Sequence, residues 1–458
     1  MITKNLETIA SMLNVSVLDN KFIDVMVSGI CIDSRKVKQG NLFIPIVGAN
    51  QNGHKYVNNA IENKAVATLW NKDEPNPPTN IGVILVDDTL VAMQQLATTY
   101  RSQLKTSIIG VAGSNGKTST KDILAGMLST KFKTQKTMGN HNNELGVPIT
   151  LLNLYDDCEV AVVEMGMEKK GELLFLKDMV KPDHAILTNV GLAHLENFDS
   201  LEELAEAKAE IADCINDNGL FIYNGDDKLI NNALENKQLN KTLKIKTFGF
   251  NDKNNIYYKN IKQSETGITF ETDGEVKDSF GINMLGKHQA LNAIAAMLAA
   301  KEYKLTTTQI KDGLNNIEKT GLRNELLKVN KCTILNDTYK SNPNSVLAAL
   351  DTFEEIKSPV KVVVLGDMLG LGKKEEELHY EIGSKLSNYT VDELVTYGEL
   401  GKFIANGAKN IVKNIKSFDD KNLMTNYLSK YLNIDSSMVI KASRSLELDE
   451  VVDKLKSL

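Results

Sequence analysis

A chain of 458 residues is long enough for about three domains that each bury their own core, at roughly 150 residues per domain. Its composition, 42% hydrophobic and 24% charged, is typical of a folded globular protein and excludes an intrinsically disordered chain. Its net charge of −6 argues against a general nucleic-acid binder and a membrane-surface binder, because both need a broad basic face.

The N-terminal residues, MITKNLETIASMLNVSV, predict a helix rather than an export signal. Ile2, Leu6, Ile9 and Leu13 recur at helical spacing, without the continuous apolar stretch and small-residue cleavage site of a signal. No later run approaches the length of a membrane span. The four cysteines stand far apart without a C-x-x-C pair, so neither a zinc site nor a disulfide framework is indicated. We therefore expect a cytoplasmic protein without membrane insertion.

Residues 1–103 are predicted to form a first domain. After the helix, short strand-like apolar runs occur at 29–32 (GICI) and 42–47 (LFIPIV). The proline-containing stretch 73–78 (DEPNPP) is predicted to be a loop within this domain.

Residues 104–320 are predicted to form a second domain around a parallel sheet. It opens on the apolar run 107–112 (SIIGVA), which leads into a glycine-rich loop and then a helix. Strands are predicted again at 160–163 and 185–188, each followed by a turn and a helical pattern. Strands that alternate with helices predict a parallel, doubly wound sheet.

The alternation resumes in residues 321–458, where buried strands are predicted at 332–335 (CTIL) and 360–365 (VKVVVL). These runs predict a third α/β unit with its own core. The sequence therefore predicts an α/β protein of three domains, with a phosphate-binding loop in the middle one.

The segment GSNGKTS, residues 113–119, is predicted to bind the phosphates of ATP. Backbone N–H groups in a glycine-rich turn, followed by a helix N-terminus, offer several donors and the positive end of the helix dipole to a polyphosphate. Lys117 would bridge the β- and γ-phosphates, and the Thr118 hydroxyl would hold Mg²⁺. The usual G-x-x-x-x-G-K-[ST] spacing requires glycine where this chain has Val111, so the loop is a variant. The alternative is a chance glycine turn before a helix.

Two side chains follow predicted strands at the edge where ligands of doubly wound sheets bind. Glu164 comes directly after the run 160–163 and either ligates Mg²⁺ or is a solvated residue at a strand end. His194 lies just past the next predicted strand, in GLAHL, where a lone histidine is usually structural or solvated.

A predicted helix that begins at Ser200, with Glu203 completing a capping box, carries a lysine on its apolar stripe. The stripe positions are Leu201, Leu204, Lys208, Ile211 and Ile215. Burial disfavours the cation, so the pKa of a buried lysine falls, and its neutral amine could pair with phosphate or react with CO₂ to form a carbamate. A carbamate is an anionic oxygen ligand for metal. The alternative is a lysine that snorkels from the edge of the stripe.

Short motifs follow one another through nearly the whole chain. They are DSRKV (33–37), GH (53–54), GSNGKTSTK (113–121), EMG (164–166), AHLENF (193–198), EAKAEI (206–211), GKHQALNAIAA (286–296), GLRNE (321–325), NDTYKSNPNS (336–345) and LGDM (365–368). In this order they resemble the Mur ligase superfamily, the ATP-dependent amide-forming enzymes of peptidoglycan synthesis.

One further segment, NHNNELGVP (140–148), resembles the members of the superfamily that add D-alanyl-D-alanine. Members that add the third amino acid generally carry a D-N-P-R segment in the last domain, and this sequence has none there. The chain departs from the pattern at Gly370, where relatives usually carry glutamate, so no acidic contact is expected from this position.

The resemblance implies a central P-loop ATPase domain between an N-terminal UDP-substrate domain and a C-terminal Rossmann-like domain. Lys208 matches the lysine that is carbamylated in these ligases, and with Glu164, His194 and Thr118 it would hold Mg²⁺, with two ions implied. The implied ATP contacts are Gly113, Ser114, Asn115, Gly116, Lys117, Thr118, Ser119, Asn292 (adenine), Arg323 (γ-phosphate) and Asp337 (ribose). Taken singly, the last three could be a cap, a surface charge and a turn residue.

The implied substrates are UDP-N-acetylmuramoyl-tripeptide and D-alanyl-D-alanine, bound by a monomer. Ser34 and Arg35 would contact the uridine diphosphate. The muramoyl-peptide would meet Asn140, Asn142 and Asn143, and the third domain would frame the dipeptide with Asn336, Tyr339, Ser341, Asn342 and Asp367. Lys340 is either a cation for a carboxylate or phosphate, or a solvated loop lysine. No motif distinguishes lysine from diaminopimelate as the third peptide residue.

Two other functions remain open from the sequence. A related amide ligase, such as the one that adds the third residue or a folylpolyglutamate synthetase, would share the ATP chemistry. A nucleotide-gated binding or scaffold protein would use the loop as a switch, and it would need neither a buried lysine nor the carboxylate and histidine beside the loop.

Overall fold

The computed structural model describes residues 1–235 and 237–458, whose strands form sheets of two, four, nine and six strands. Helices accompany the three larger sheets, so the predicted α/β fold class is confirmed. Within the described ranges, no helix is both long and apolar enough to cross a membrane.

The first sheets lie within residues 1–103. Their strands are β1 (Thr3–Asn5), β2 (Met26–Ser28), β3 (Ile30–Cys31), β4 (Leu42–Phe43), β5 (Ala67–Asn71) and β6 (Gly82–Val86). The helices are α1 (Leu6–Met12), α2 (Val57–Glu62) and α3 (Thr89–Gln103). Strands β3 to β6 are parallel, and β1 pairs with β2. The N-terminal helix therefore begins later than predicted, because Ile2 precedes strand β1, although its side chain is buried.

The central sheet has the strand order β15-β14-β13-β12-β11-β10-β7-β9-β8. Its strands are β7 (Ser107–Ala112), β8 (Thr134–Lys136), β9 (Val160–Glu164), β10 (His184–Leu187), β11 (Leu220–Asn224), β12 (Lys244–Gly249), β13 (Ile256–Gln263), β14 (Ile268–Gly274) and β15 (Asp278–Ile282). The helices are α4 (Lys117–Leu128), α5 (Gly146–Leu152), α6 (Glu172–Val180), α7 (Leu201–Ala209), α8 (Lys228–Glu235), α9 (Gln289–Glu302) and α10 (Thr307–Asn315). The three predicted strands correspond to β7, β9 and β10 at the centre of its parallel part. The sequence analysis predicted neither the parallel strands β8, β11 and β12 nor the antiparallel extension formed by β13 to β15.

The third sheet has the order β16-β17-β21-β18-β19-β20, parallel except for the edge strand β16. Its strands are β16 (Glu325–Val329), β17 (Cys332–Asn336), β18 (Lys361–Gly366), β19 (Glu393–Tyr397), β20 (Asn414–Phe418) and β21 (Ser436–Lys441). The helices are α11 (Pro343–Glu354), α12 (Glu375–Lys385), α13 (Gly401–Ala408), α14 (Lys421–Leu428) and α15 (Asp449–Lys456).

The apolar cores divide the chain differently from the sheets. One cluster is continuous from the first sheet through Leu96 and Ala97 of α3 to Leu151 of α5 and Leu176 of α6. A second cluster fills the other face of the central sheet under α4, α9 and α10. The third sheet has a cluster on each face. The first and second parts of the chain are therefore joined by apolar packing.

Candidate active site

A cavity of about 1270 Å³ lies where the carboxyl ends of β7, β9 and β10 face the third sheet. Most of the residues that the sequence analysis selected line it. They are Ser114, Asn115, Gly116, Lys117, Thr118, Ser119, Asn140, Asn142, Asn143, Glu164, His194, Asn292, Arg323, Asp337, Tyr339 and Ser341. This convergence follows from the parallel sheet, since the carboxyl ends of its strands meet at one edge.

The phosphate loop departs from the usual spacing because β7 continues through Val111 to Ala112, so the turn starts at Gly113. Gly113 has φ +138°, and a Cβ there would lie 2.0 Å from Thr188 Oγ1. Gly116 has φ +80°, and a Cβ there would lie 2.4 Å from the Asn292 side-chain oxygen. Both positions therefore require glycine for conformation and for space.

Helix α4 begins directly after this turn. Among the described residues no side chain caps its first turn, so the leading N–H groups and the helix dipole face the cavity. Lys117 Nζ lies at the same place and donates to the Gly113 carbonyl at 2.6 Å. Burial lowers the pKa of Lys117, while Glu164 opposes that shift. The loop thus combines backbone donors with a desolvated amine, as a phosphate site requires.

Glu164 ends β9 and is buried with both carboxylate oxygens occupied. Thr118 Oγ1 donates to one at 2.8 Å, and Asn142 Nδ2 donates to the other at 2.8 Å. Its own backbone N–H donates to Thr137 Oγ1. A hydroxyl and a carboxylate in contact at the end of the phosphate loop are the hard oxygen ligands that Mg²⁺ prefers.

Lys208 is 2% exposed, so the alternative of a lysine snorkelling from the stripe edge is wrong. Helix α7 ends at Ala209, earlier than the predicted stripe, and continues as a 3₁₀ turn. The Lys208 Nζ atom lies 3.2 Å from Met167 Sδ. Burial lowers the pKa of Lys208 well below its usual value, and the neighbouring Lys117 and Lys340 lower it further. Its amine is therefore poised to be neutral.

His194 meets the third domain. Its Nε2 lies 2.7 Å from Lys340 Nζ, and its Nδ1 lies 3.7 Å from Glu168 Oε1. Burial lowers the pKa of His194, and it lowers the pKa of Lys340 to about 7. His194 also adopts φ +64°, which is uncommon for a residue with a side chain. Lys340 is thus a half-buried residue of the cavity wall and not a solvated loop lysine.

Arg323 reaches the cavity from the segment that joins the central sheet to the third sheet. Its guanidinium carbon lies 3.6 Å from the centroid of the Tyr339 ring. The residues on either side, Leu322 and Asn324, have φ +64° and +45°. Its Nη1 donates to the Gly321 carbonyl at 3.4 Å, and stacking on the ring leaves the rest of the guanidinium edge available to an anion.

The two remaining predicted nucleotide contacts are held by neighbours. Asn292 donates to Gln289 Oε1 at 2.9 Å, with its oxygen beside Gly116. Asp337 pairs with buried Lys441, whose Nζ lies 2.6 Å from Oδ2. This contact fixes the orientation of the Asp337 carboxylate.

Seven predicted residues lie outside the cavity lining of the described chain: Gly113, Lys208, Ser34, Arg35, Asn336, Asn342 and Asp367. Arg35 is exposed and pairs with Asp33 at 2.9 Å. Asn336 donates to Glu325, Asn342 caps α11 and donates to Asn115 Oδ1 at 2.9 Å, and Asp367 accepts from the Gly401 N–H at 2.7 Å. The side chains of Arg35, Asn336, Asn342 and Asp367 are therefore engaged in structural contacts.

Gly370 lies at the edge of the same cavity with φ +83°. Its carbonyl accepts from the Glu196 N–H at 3.3 Å, and a Cβ there would lie 3.4 Å from Glu196 Oε1. Glu196 therefore provides a carboxylate beside this position, although residue 370 has none.

Family models match three stretches of the chain. They are the Mur ligase family catalytic domain (26–101), the Mur ligase middle domain (111–300) and the Mur ligase glutamate ligase domain (322–444). The UDP-N-acetylmuramoyl-tripeptide–D-alanyl-D-alanine ligase of Bacillus subtilis (strain 168) is 39% identical over 459 residues, or 99% of each chain. The ligase of the same name from Escherichia coli (strain K12) is 30% identical over 94% of each chain. The chain belongs to the Mur ligase family.

The resemblance found in the sequence is thereby confirmed, including the D-alanyl-D-alanine-adding subgroup. Two solved structures share the fold of this Mur ligase. MurF from Acinetobacter baumannii matches with a TM-score of 0.86 at 24% identity over 100% of both chains. The MurF ligase of Thermotoga maritima in complex with ADP matches with a TM-score of 0.79 at 24% identity over 94% of this chain and 97% of that one.

Two lysines of this Mur ligase complete the site beyond the sequence-based selection. Lys441 ends strand β21 and is buried. The signal available in the sequence was a lysine that directly follows the apolar run MVI. Lys340 was noted only as an ambiguous cation. Its contact with His194 joins residues 146 positions apart, which no local pattern reveals.

Proposed function

We propose that this Mur ligase joins D-alanyl-D-alanine to UDP-N-acetylmuramoyl-tripeptide with conversion of ATP to ADP and phosphate. The product would be the UDP-linked pentapeptide of cytoplasmic peptidoglycan precursor synthesis. The observation that carries the proposal is one cavity lined by a phosphate loop and by a paired hydroxyl and carboxylate, with the buried Lys208 amine in contact with Met167 of its wall. The names of full-length relatives support the choice of substrates.

Mg²⁺ would be held by Thr118 and Glu164, and a second ion by Glu164, His194 and Lys208 as a carbamate. The contact of Thr118 with Glu164 fits the first set. Lys208 fits the second because a neutral buried amine can take up CO₂, losing a proton, and Lys117 and Lys340 would neutralise the resulting anion. When bound, the ions would neutralise phosphate charge.

The protein's own groups position the reactants. A peptide carboxylate oxygen attacks the γ-phosphorus, the bond to ADP breaks, and an acyl phosphate forms. The dipeptide amine then attacks the carbonyl carbon and gives up a proton, and the carbon–oxygen bond to phosphate breaks. Negative charge gathers on the phosphoryl oxygens in both steps, and Lys117 and Arg323 would stabilise it.

We assign three roles to the three parts of the chain. Residues 1–103 would bind the uridine diphosphate through Ser34 and Arg35, and residues 104–320 would bind ATP. Residues 321–458 would close over the cavity, excluding water that would hydrolyse the acyl phosphate. The enzyme would act as a monomer.

The dipeptide would occupy the third-domain side of the cavity. Ser341 supports this placement, because its hydroxyl is buried, lines the cavity and has no hydrogen-bond partner among the described residues. Tyr339 forms the adjoining wall, and Asn140, Asn142 and Asn143 face it from the side assigned to the muramoyl-peptide. Asn336, Asn342 and Asp367 would frame the pocket indirectly, through the contacts described above.

Phosphate release tests the proposal. The purified protein should consume ATP only when UDP-N-acetylmuramoyl-tripeptide and D-alanyl-D-alanine are both present, and chelation of Mg²⁺ should stop the reaction. Release with the UDP-dipeptide and free lysine or diaminopimelate would overturn the choice of substrates. ATP consumption that responds to neither acceptor would favour a nucleotide-gated protein instead.

A further inference from the structure

Helix α4 and strand β8 together carry an ionic cluster that the chemistry above does not use. It consists of Lys121, Asp122 and Lys136, and the side chains of Lys121 and Asp122 are 0% and 3% exposed. Asp122 Oδ1 lies 2.9 Å from Lys136 Nζ and 3.4 Å from Lys121 Nζ. Burying charges costs free energy unless each is paired and hydrogen-bonded, so the cluster indicates a specific structural task.

The cluster binds the segment that leaves the central domain. The Thr320 N–H donates to Asp122 Oδ2 at 2.8 Å, and Lys121 Nζ lies 3.4 Å from Thr320 Oγ1. Lys136 Nζ donates to the Glu318 carbonyl. The chain is therefore attached to α4 as far as Thr320.

The third domain takes hold of the chain two residues later. The Leu322 carbonyl accepts from the Tyr339 N–H at 3.2 Å, and the Asn324 N–H donates to Asp337 Oδ1 at 3.3 Å. Gly321 lies between the two attachments, and a Cβ there would meet no atom of the described chain within 4 Å. The contacts leave Gly321 as the pivot between the domains.

We propose that Asp122 and Lys136 are positioning residues that fix this pivot so that Arg323 is presented to the γ-phosphate of ATP. The proposal rests on the proposed function, which assigns that contact to Arg323. Helix α4 carries the phosphate loop at its start and the pivot anchor just over a turn later. It therefore sets the position of Arg323, which lies two residues beyond the pivot, relative to the loop.

Nucleotide affinity tests whether Asp122 and Lys136 position Arg323 or only stabilise the fold. Lys136→Met and Asp122→Asn should weaken binding of a non-hydrolysable ATP analogue about tenfold and leave ADP affinity unchanged, because ADP lacks the γ-phosphate. Lys133→Met is the matched control, since Lys133 lies just before β8, the strand that ends at Lys136. Its ion pair with Asp157, at 2.7 Å, is exposed. Equal weakening of ADP and the ATP analogue would overturn the proposal. Lys136→Met carries the test if Asp122→Asn does not fold, because it leaves the Thr320 bond intact.

A double-mutant comparison adds an activity measurement. In an Arg323→Ala background, Lys136→Met should cause no further loss of phosphate release, because it acts through Arg323. The same fold-loss in both backgrounds would mean a structural role and would overturn the proposal. A wild-type protein that releases no phosphate with both substrates would instead sink the proposed function, and the affinity comparison would still decide the role of the anchor.

Discussion

The two boundaries between the three parts of the chain are built from different contacts. An apolar core crosses the boundary between the first and central parts without interruption. Buried hydrogen bonds reinforce it: Arg101 of α3 donates to the Val180 carbonyl at the end of α6, and the Tyr100 hydroxyl lies 2.8 Å from the Leu154 carbonyl. Such contacts are lost only at a large cost, so this boundary is fixed.

The boundary between the central and third parts passes through the site and is less apolar, although Leu285 and Leu192 of the central part pack into a cluster of the third sheet. Its contacts include Asn115 with Asn342 at 2.9 Å and His194 with Lys340 at 2.7 Å. The exposed pair of Lys287 and Glu355 lies at its periphery. Polar contacts can be exchanged for water or substrate at little cost, so this boundary is suited to opening and closing. Variants at the polar boundary should therefore lose activity while the fold stays stable. Variants at the apolar boundary should lose stability while the folded fraction keeps its activity.

The largest effect is expected for Lys208→Ala, which should lower ligation about 10³-fold because the proposed carbamate cannot form. Added short carboxylic acids should restore part of the activity, and the thermal midpoint should not fall, since the amine that is removed is desolvated and faces the weakly accepting Met167 sulfur. Phosphate release and thermal unfolding measure the two outcomes. Lys170→Ala, at an exposed neighbouring lysine, is the control. Wild-type ligation by the Lys208 variant would sink the carbamate hypothesis.

Lys340→Met should lower kcat about 10²-fold, because a lysine that would neutralise the proposed carbamate of Lys208 is lost. Binding of UDP-N-acetylmuramoyl-tripeptide, measured by calorimetry, should be unchanged, since that substrate is assigned to the fixed pair of domains. Lys374→Met provides an exposed control in the same domain. A destabilised variant with normal kcat would contradict the assignment of this contact to catalysis.

At the apolar boundary, Arg101→Met should reduce the free energy of unfolding by about 2 kcal/mol, because it leaves the carbonyls at the end of α6 without their buried charged donor. Denaturant titration measures the loss, with exposed Lys105→Met as the control. The kinetic constants of the folded fraction should match the wild type. A change in KM for ATP without a loss of stability would break the comparison.

Tyr100→Phe should have the smallest effect, about 1 kcal/mol, because only a neutral hydroxyl that meets Leu154 and Asp156 is removed. Burial and Asp156 raise the pKa of Tyr100, so the loss should be independent of pH across the neutral range. Tyr155→Phe, at an exposed tyrosine, should be neutral. A loss larger than that of Arg101→Met would show that the hydroxyl, and not the guanidinium, closes this boundary.

Sequence patterns were sufficient where the chemistry is local. The run 107–112 predicted β7 residue for residue, because an apolar stretch before a glycine turn has few alternatives. Lys208 was recognised as an anomaly because helical periodicity placed a charge among apolar positions, and the structure buries it. The antiparallel strands β13 to β15 went unpredicted, since their pairing depends on neighbours along the sheet edge.

By itself, the sequence determined the α/β class, the phosphate loop and the chemical types at the ends of β9 and β10, because each depends on residues close together in the chain. Only the tertiary structure decided that Lys340 meets His194, that Lys441 holds Asp337, and that Asp122 anchors the pivot. These pairs join residues more than a hundred positions apart. The first pair depends on how the third domain sits on the central one, the second on the pairing of β17 with β21, and the third on how the end of the central part packs on α4. No periodicity or spacing encodes these contacts.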